Sequence, residues 1–163
     1  MQKNAFLIRY GGIYEHSPWV AKAAWEQGLS GDDVHALIDP MRMIVEHAGY
    51  DRQITLLRAH PDLAGKLATA GGLTRESRSE QSGAGLDKCT PEEFERFQTL
   101  NATYKDRFRF PFILAVKGHN RQSVLKNFEE RVENTEATEF QTALDQVHSI
   151  ARFRLEALAG ETP

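Results

Sequence analysis

The sequence has little of what builds a disulfide-bonded or membrane-embedded protein. One cysteine, Cys89, among 163 residues excludes an internal disulfide and is typical of a reducing compartment. Apolar runs stay far below the roughly 20 residues that span a bilayer. The N-terminal residues lack the apolar stretch and small-residue cleavage site of a signal peptide. We therefore expect a cytoplasmic protein with no membrane partner.

An excess of charge of one sign is also missing. The formal net charge is -3, from 20 basic and 23 acidic residues that are interspersed along the chain. No basic face of the kind that binds nucleic-acid phosphates is indicated, so nucleic acid is excluded as an expected partner. The histidines form no ligand pair at helical spacing, and no Walker-type or dinucleotide-binding glycine motif occurs. We predict neither a metal site nor a bound cofactor.

What the chain does contain is a succession of amphipathic segments separated by short glycine and proline breaks. These segments predict an all-α fold, a single-domain bundle of about seven to nine helices over residues 1–163. The clearest helix start is Thr90-Pro91-Glu92-Glu93, a capping box with proline at the first helical position. Residues 109–116 are rich in β-formers but contain a proline and have no second strand to pair with. We expect them to form a buried, extended connector.

Four helix boundaries can be predicted from local signals. Ser17 is expected to cap a helix that ends near residue 27, and Pro40 to kink or split the following one. Residues 62–70 form a candidate short helix. Gly160 is expected to end the last helix.

The candidate chemistry centres on His60, which precedes Pro61 and is therefore expected at a helix terminus. Ser77, Glu80 and Gln81 are spaced to share one helix face, whereas Ser79 falls off that face. A carboxylate beside a histidine can orient the ring, and serine and glutamine supply neutral hydrogen-bonding groups. The alternative interpretation is an isolated histidine and a solvated polar face.

Arg154 is a separate signal in the last helix. A helical projection places it on an apolar stripe with Leu144, Val147 and Ala151, whereas Arg152 lies roughly opposite. A guanidinium in such a stripe is costly unless it meets an anion. Arg154 therefore either pairs with an internal acid or binds an anionic substrate.

Several segments, in order along nearly the whole chain, resemble the 2-oxo-4-hydroxy-4-carboxy-5-ureidoimidazoline (OHCU) decarboxylases of urate degradation. They include GGIYEHSPWVAKAAW, AHPDLAGKLA, SRSEQSGAGLD, LNATYKDRFRFPFILAVKG and the closing IARFRLEAL. The resemblance implies an all-helical, cofactor-free carboxy-lyase that converts OHCU to (S)-allantoin after urate oxidase and hydroxyisourate hydrolase have acted.

The same resemblance assigns roles to the motif residues. His60 becomes the proton donor, oriented by Glu80, and Arg154 is the arginine of the closing motif that the apolar stripe selects. The remaining implied substrate-binding residues are Pro61, Ser77, Gln81, Phe112, Ile113, Leu114, Ala115 and Val116. Relatives in this family commonly pair, so a homodimer is implied, and we expect exposed Trp19 and Trp25 to serve its interface.

Two other function classes make different predictions. A non-enzymatic helical ligand- or protein-binding module, presenting residues 77–87 to a partner, requires that His60 and Glu80 lie apart or on an exposed convex surface. A metal-dependent hydrolase using His60 and Glu80 would lose its activity to a chelator.

Overall fold

The computed structural model describes residues 1–65 and 72–161. Within these ranges it contains eight α-helices, two single-turn 3₁₀ helices and no β-strand, which confirms the predicted all-α class. The 3₁₀ helices are His35–Leu37 and Leu86–Lys88. The α-helices are α1 (Lys3–Tyr10), α2 (Trp19–Glu26), α3 (Ile38–Glu46), α4 (Tyr50–Arg58), α5 (Arg75–Gly83), α6 (Pro91–Phe108), α7 (Arg121–Arg131) and α8 (Glu136–Glu161).

Backbone contacts divide the chain into two compact units. The first unit comprises Met1–Ala59 and Val147–Pro163, and the second comprises His60–Gln146. Every motif of the candidate site except Arg154 belongs to the second unit. The one-domain organisation stays a prediction.

The first unit packs α1 and α2 around aromatic side chains. Phe6 and Tyr10 are fully buried, with ring centroids 4.8 Å apart, and Trp25 lies 5.3 Å from Phe6. Gly31 lies against these rings at a positive φ of 76°, and a Cβ there would come within 2.8 Å of both Phe6 and Tyr10. The Tyr10 hydroxyl donates to the Gly31 carbonyl at 2.8 Å. This position therefore requires glycine for both space and backbone conformation.

The second unit packs α6 and α7 on the extended connector through an aromatic core. Tyr104 lies between 4.6 and 5.8 Å, centroid to centroid, from Phe108, Phe112 and Phe128. Phe112 stacks on Phe128 at 3.9 Å with nearly parallel planes. Helix α6 buries Phe97, Tyr104 and Phe108 at helical spacing, so one side of the helix faces this core.

Helix α6 begins at its predicted capping box, and α5 also begins at a side-chain cap. The Thr74 side chain accepts from the Ser77 amide, and the Thr90–Glu93 capping box is complete. The connector is confirmed as well, because residues 111–116 have no regular secondary structure and five of the six are buried. Arg109 ends α6 in the left-handed conformation, with φ of 65°.

Three boundary predictions are wrong in detail. Pro18 occupies the cap position of α2, and the Ser17 hydroxyl instead donates to the Glu15 carbonyl at 2.9 Å. Pro40 lies in the first turn of α3, where its missing N–H costs no helical hydrogen bond, and the split comes earlier, after the 3₁₀ helix. Gly160 does not end α8, which continues to Glu161.

The fourth prediction, a helix over residues 62–70, is only partly inside the described ranges. Residues 62–65 form a non-helical turn, and residues 66–70 lie outside the described part of the chain. No helix in the described ranges has the length and hydropathy that a membrane crossing requires.

Candidate functional site

His60 lies just beyond the C-terminus of α4, as the following proline predicts. The helix ends at Arg58, Ala59 forms its C-cap, and His60 occupies a bend before Pro61. His60 is only 9% exposed, and Pro61 is half-buried. A buried imidazole at the start of an irregular segment suits a group that must hold one orientation while it exchanges a proton.

The turn that follows, residues 62–64, is held by carboxamide side chains from two helices. Gln81 donates to the Asp62 carbonyl at 3.4 Å, Asn101 to the Leu63 carbonyl at 3.0 Å, and Gln98 to the Ala64 carbonyl at 2.9 Å. The Ala64 amide donates to Oε1 of Gln81 at 3.0 Å. Three consecutive carbonyls of the turn are thus each bound by a different side-chain amide.

Two further features show that this turn is tightly specified. Ala64 has a φ of 50°, in the left-handed region that residues with a Cβ seldom adopt. Lys105 pairs with the Asp62 carboxylate at 2.8 Å. Local strain persists only where the surroundings fix the backbone, and here α5 and α6 do so.

Helix α5 presents the predicted polar face. Ser77 and Gln81 are each 4% exposed, Glu80 is half-buried, and Ser79 is exposed. Gln81 contacts the turn after His60, so the segment that contains His60 and the segment that contains Gln81 meet there. Contact between His60 and Glu80 themselves stays a prediction. Both ends of the Gln81 amide already bind backbone groups, which leaves one N–H and one lone pair for a ligand.

The connector contributes buried backbone to the same unit. Phe112, Ile113, Leu114 and Val116 are at most 6% exposed, and Ala115 is half-buried. The Ile113 carbonyl accepts from the guanidinium of Arg131 at 2.7 Å, and the Ala115 amide donates to Oε1 of Gln146 at 2.9 Å. The Ala115 amide is therefore already engaged. Substrate contact by the connector stays a prediction.

A buried ion pair behind the connector was not predicted. Arg131 binds Glu139 at 3.0 Å, and the carboxylate also accepts from the Tyr104 hydroxyl and the Asn134 amide. The Arg131 guanidinium lies 4.3 Å from the centre of the Phe112 ring. Burial and the Glu139 carboxylate raise the pKa of Tyr104, so its hydroxyl stays a proton donor.

Arg154 belongs to the first unit, and its predicted burial is observed. It is 7% exposed, whereas Arg152 has a 64% exposed side chain. Its guanidinium binds the buried Glu15 carboxylate at 2.8 Å and the Gly12 carbonyl at 3.1 Å. Of the two alternatives that the sequence leaves open, pairing with an internal acid is therefore observed, and substrate binding by Arg154 stays a prediction.

The first unit also contains a polar chain that sequence reasoning missed. Nδ1 of His148 lies 2.8 Å from the Tyr14 hydroxyl, and its Nε2 lies 2.8 Å from Glu46. Burial raises the pKa of Tyr14 well above its usual value. His148 is on the apolar stripe of α8, but its partners are 134 and 102 residues away, so no local pattern indicates them.

The two tryptophans differ from expectation. Trp19 and Trp25 are half-buried rather than exposed, since the Arg52 guanidinium lies 5.0 Å from the Trp19 ring and Trp25 packs on Phe6. The exposed large apolar side chains include Ile8 and Tyr50. The tryptophans therefore do not support the expected interface.

These features define a helical protein whose second unit contains a buried histidine, next to a turn that side-chain amides hold. Helix α5 carries a buried hydroxyl, a buried amide and a half-buried carboxylate. These residues make up a candidate acid–base site. The family model described as OHCU decarboxylase matches residues 1–156. The chain belongs to the OHCU decarboxylase family.

Individual relatives agree with this assignment. The chain is 45% identical to the 2-oxo-4-hydroxy-4-carboxy-5-ureidoimidazoline decarboxylase of Halalkalicoccus jeotgali, covering 96% of this chain and 86% of that protein. It is 43% identical to the enzyme of the same name from Haloferax volcanii, covering 95% and 89%. The crystal structure of an (S)-allantoin synthase matches with a TM-score of 0.76 at 35% identity, over 96% of this chain and 50% of that one.

Proposed function

We propose that this chain decarboxylates OHCU to (S)-allantoin in the degradation of urate. Membership of the OHCU decarboxylase family over residues 1–156 supports the reaction, as do two relatives above 40% identity that carry the enzyme's name. The name of the matching solved structure, (S)-allantoin synthase, agrees with the product.

The substrate's own chemistry explains why little more than binding and proton transfer is needed. OHCU carries a carboxylate and a hydroxyl on one ring carbon, next to a C=N bond. When the bond to the carboxylate breaks, CO2 leaves and the electron pair moves into that C=N system. The hydroxyl proton passes to the ring nitrogen as the hydroxyl carbon becomes a carbonyl, and a proton supplied by the enzyme adds to the ureido-bearing carbon. The face on which the proton arrives sets the S configuration.

We assign the delivery of that proton to His60. The observation that carries this assignment is its burial at the end of α4, directly before a turn that α5 and α6 hold in place. An imidazole can donate near neutral pH, and a fixed orientation restricts delivery to one face. Glu80 is a half-buried residue of α5, and its carboxylate would orient the His60 ring and stabilise the charged form of the imidazole.

Neutral groups would bind the rest of the substrate. Ser77 and Gln81 are buried on the same face of α5 as Glu80, and Gln81 reaches the turn after His60. Their hydroxyl and amide suit the carbonyl and ureido groups of OHCU better than charged side chains would, because they can both donate and accept. Connector backbone and Pro61 would complete the pocket walls.

Time-resolved circular dichroism tests this function directly. OHCU is generated in place from urate with urate oxidase and hydroxyisourate hydrolase, and the chain is then added. We expect rapid appearance of optically active (S)-allantoin, unchanged by prior dialysis against a chelator. Formation of racemic allantoin at the spontaneous rate would reject the enzyme and favour the binding-module alternative. Loss of activity to the chelator would favour a metal-dependent enzyme.

Two further expectations, on cellular compartment and oligomeric state, complete the proposal. We place the enzyme in the cytoplasm and expect two copies to associate. Light scattering coupled to size-exclusion chromatography measures the second point, and a monomeric mass at assay concentrations would contradict it.

A further inference from the structure

Gln98 and Asn101 lie on one face of α6, three residues apart, and each binds a carbonyl of the turn after His60. Gln98 lies outside the segments that carry the family resemblance, and Asn101, although it lies inside LNATYKDRFRFPFILAVKG, has no role assigned to it by that resemblance. We propose that they are positioning residues, which fix the turn at residues 62–64 and through it the orientation of the His60 imidazole. This inference rests on the proposed role of His60 in proton delivery.

The geometry indicates a device specific to this turn. Asn101 is 3% exposed and donates across 38 residues of sequence, and Gln98 donates across 34. Together with Gln81 they bind the three carbonyls of residues 62–64, so each peptide plane of the turn has its own donor. A backbone whose peptide planes are all fixed cannot rotate without breaking a hydrogen bond.

The turn also needs this support. Ala64 is in the left-handed conformation without being glycine, which is unfavourable because its Cβ approaches the following carbonyl oxygen. Residues 62–64 lie outside any helix or strand, so side chains supply the hydrogen-bond donors for their carbonyls. Helix α6 supplies a rigid base because its capping box fixes its start eight residues before Gln98.

The matched control is Gln53 in the first unit. It is 9% exposed, and its Nε2 donates to the carbonyls of Val45 and Glu46 at 3.0 and 3.1 Å. A Gln53→Met variant therefore also loses an Nε2 donor to backbone carbonyls, through the same change of side chain as Gln98→Met but away from the turn after His60. Asn101→Leu removes the amide that binds the Leu63 carbonyl and replaces it with a side chain of similar shape.

The experiment measures steady-state kinetics, thermal stability and two local signals in each variant. The first signal is the exchange rate of the Ala64 amide, which donates to Gln81. The second is the nitrogen spectrum of the His60 imidazole, assigned by its absence from a His60→Asn variant. Gln98→Met and Asn101→Leu should lower kcat by on the order of ten- to a hundredfold with little change in KM. They should also speed Ala64 exchange and shift the imidazole signals.

The Gln53→Met control should lose comparable stability while it keeps kcat and both signals. Gln98→Met and Asn101→Leu could instead lose stability while their kcat, Ala64 exchange rate and imidazole signals match those of Gln53→Met. That result would show that the positioning role is wrong. Should Asn101→Leu fail to fold, the half-buried Gln98 position still provides the test. If His60→Asn keeps full activity, the catalytic assignment fails separately, because the exchange and imidazole measurements do not depend on it.

Discussion

Two irregular segments of the second unit differ in the side chains that bind their backbone carbonyls. Neutral carboxamides bind the turn at residues 62–64, whereas the connector at residues 111–116 is bound at Ile113 by a guanidinium that is itself paired with a buried carboxylate. The difference matters because a neutral donor can be lost without stranding a charge. Loss of one member of a buried ion pair leaves the other uncompensated.

The largest expected effect comes from breaking the ion pair. Glu139→Gln keeps the shape of the side chain but leaves the Arg131 charge without its partner in a site where Glu139 is fully buried. We expect a loss of about 3–5 kcal/mol in the free energy of unfolding, measured by urea titration. The control is Glu136→Gln, an exposed glutamate of the same helix, which should change stability little.

The ion pair can also be removed whole. Arg131→Met combined with Glu139→Leu strands no charge, so we expect the double variant to be more stable than the Glu139→Leu single variant. If the double variant is the less stable of the two, the bond from Arg131 to the connector outweighs the charge imbalance.

Tyr104→Phe should have a smaller effect. It removes one hydroxyl donor from Glu139 without changing the ring that packs on Phe112. A hydrogen bond to a charged group is worth roughly 2 kcal/mol, so we expect a loss of about that size in the same titration. A loss as large as that of Glu139→Gln would mean that the hydroxyl, rather than Arg131, is the main partner of the carboxylate.

Asn101→Leu should cost less stability again, about 1 kcal/mol. The Leu63 carbonyl loses its donor, but the variant also removes Oδ1 of Asn101, a buried acceptor without a hydrogen-bond partner in the described structure. Urea titration of this variant beside Glu139→Gln tests the contrast between the two segments. Equal losses would contradict it.

The smallest effect is a pH dependence at the start of α6. The Thr90 amide, aided by Arg121, lowers the pKa of the Glu93 carboxyl below its usual value. The ionised cap therefore stabilises the fold above the unfolded-state pKa of about 4.3, and this contribution is lost as pH falls through the lower folded-state value. The stability difference between wild type and Glu93→Gln should shrink on acidification. A difference that is constant with pH would contradict the cap's charge dependence.

Features with local causes could be predicted from the sequence. The capping box at Thr90 needs only residues three apart, and the connector follows from its proline and the lack of a partner strand. The burial of Arg154 could be predicted because the helical period places it on the apolar stripe of the last helix. Each of these signals is contained within one segment.

The rest depends on contacts between distant segments. Residues 62–65 look helical alone, yet amides 17 to 38 residues away hold them as a turn. Arg154 meets Glu15 across 139 residues, so the sequence could show that an anion was needed but not which one. Arg131 and Glu139 flank a helix break and look like ordinary surface charges. Their burial depends on the aromatic core that forms around them.

The most direct test of the central claim is the His60→Asn variant in the circular dichroism assay, beside Ser79→Ala from the exposed side of α5. We predict that His60→Asn keeps the wild-type unfolding transition and loses the rapid, stereoselective formation of (S)-allantoin, while Ser79→Ala retains it. Wild-type rates and optical activity in His60→Asn would contradict the account.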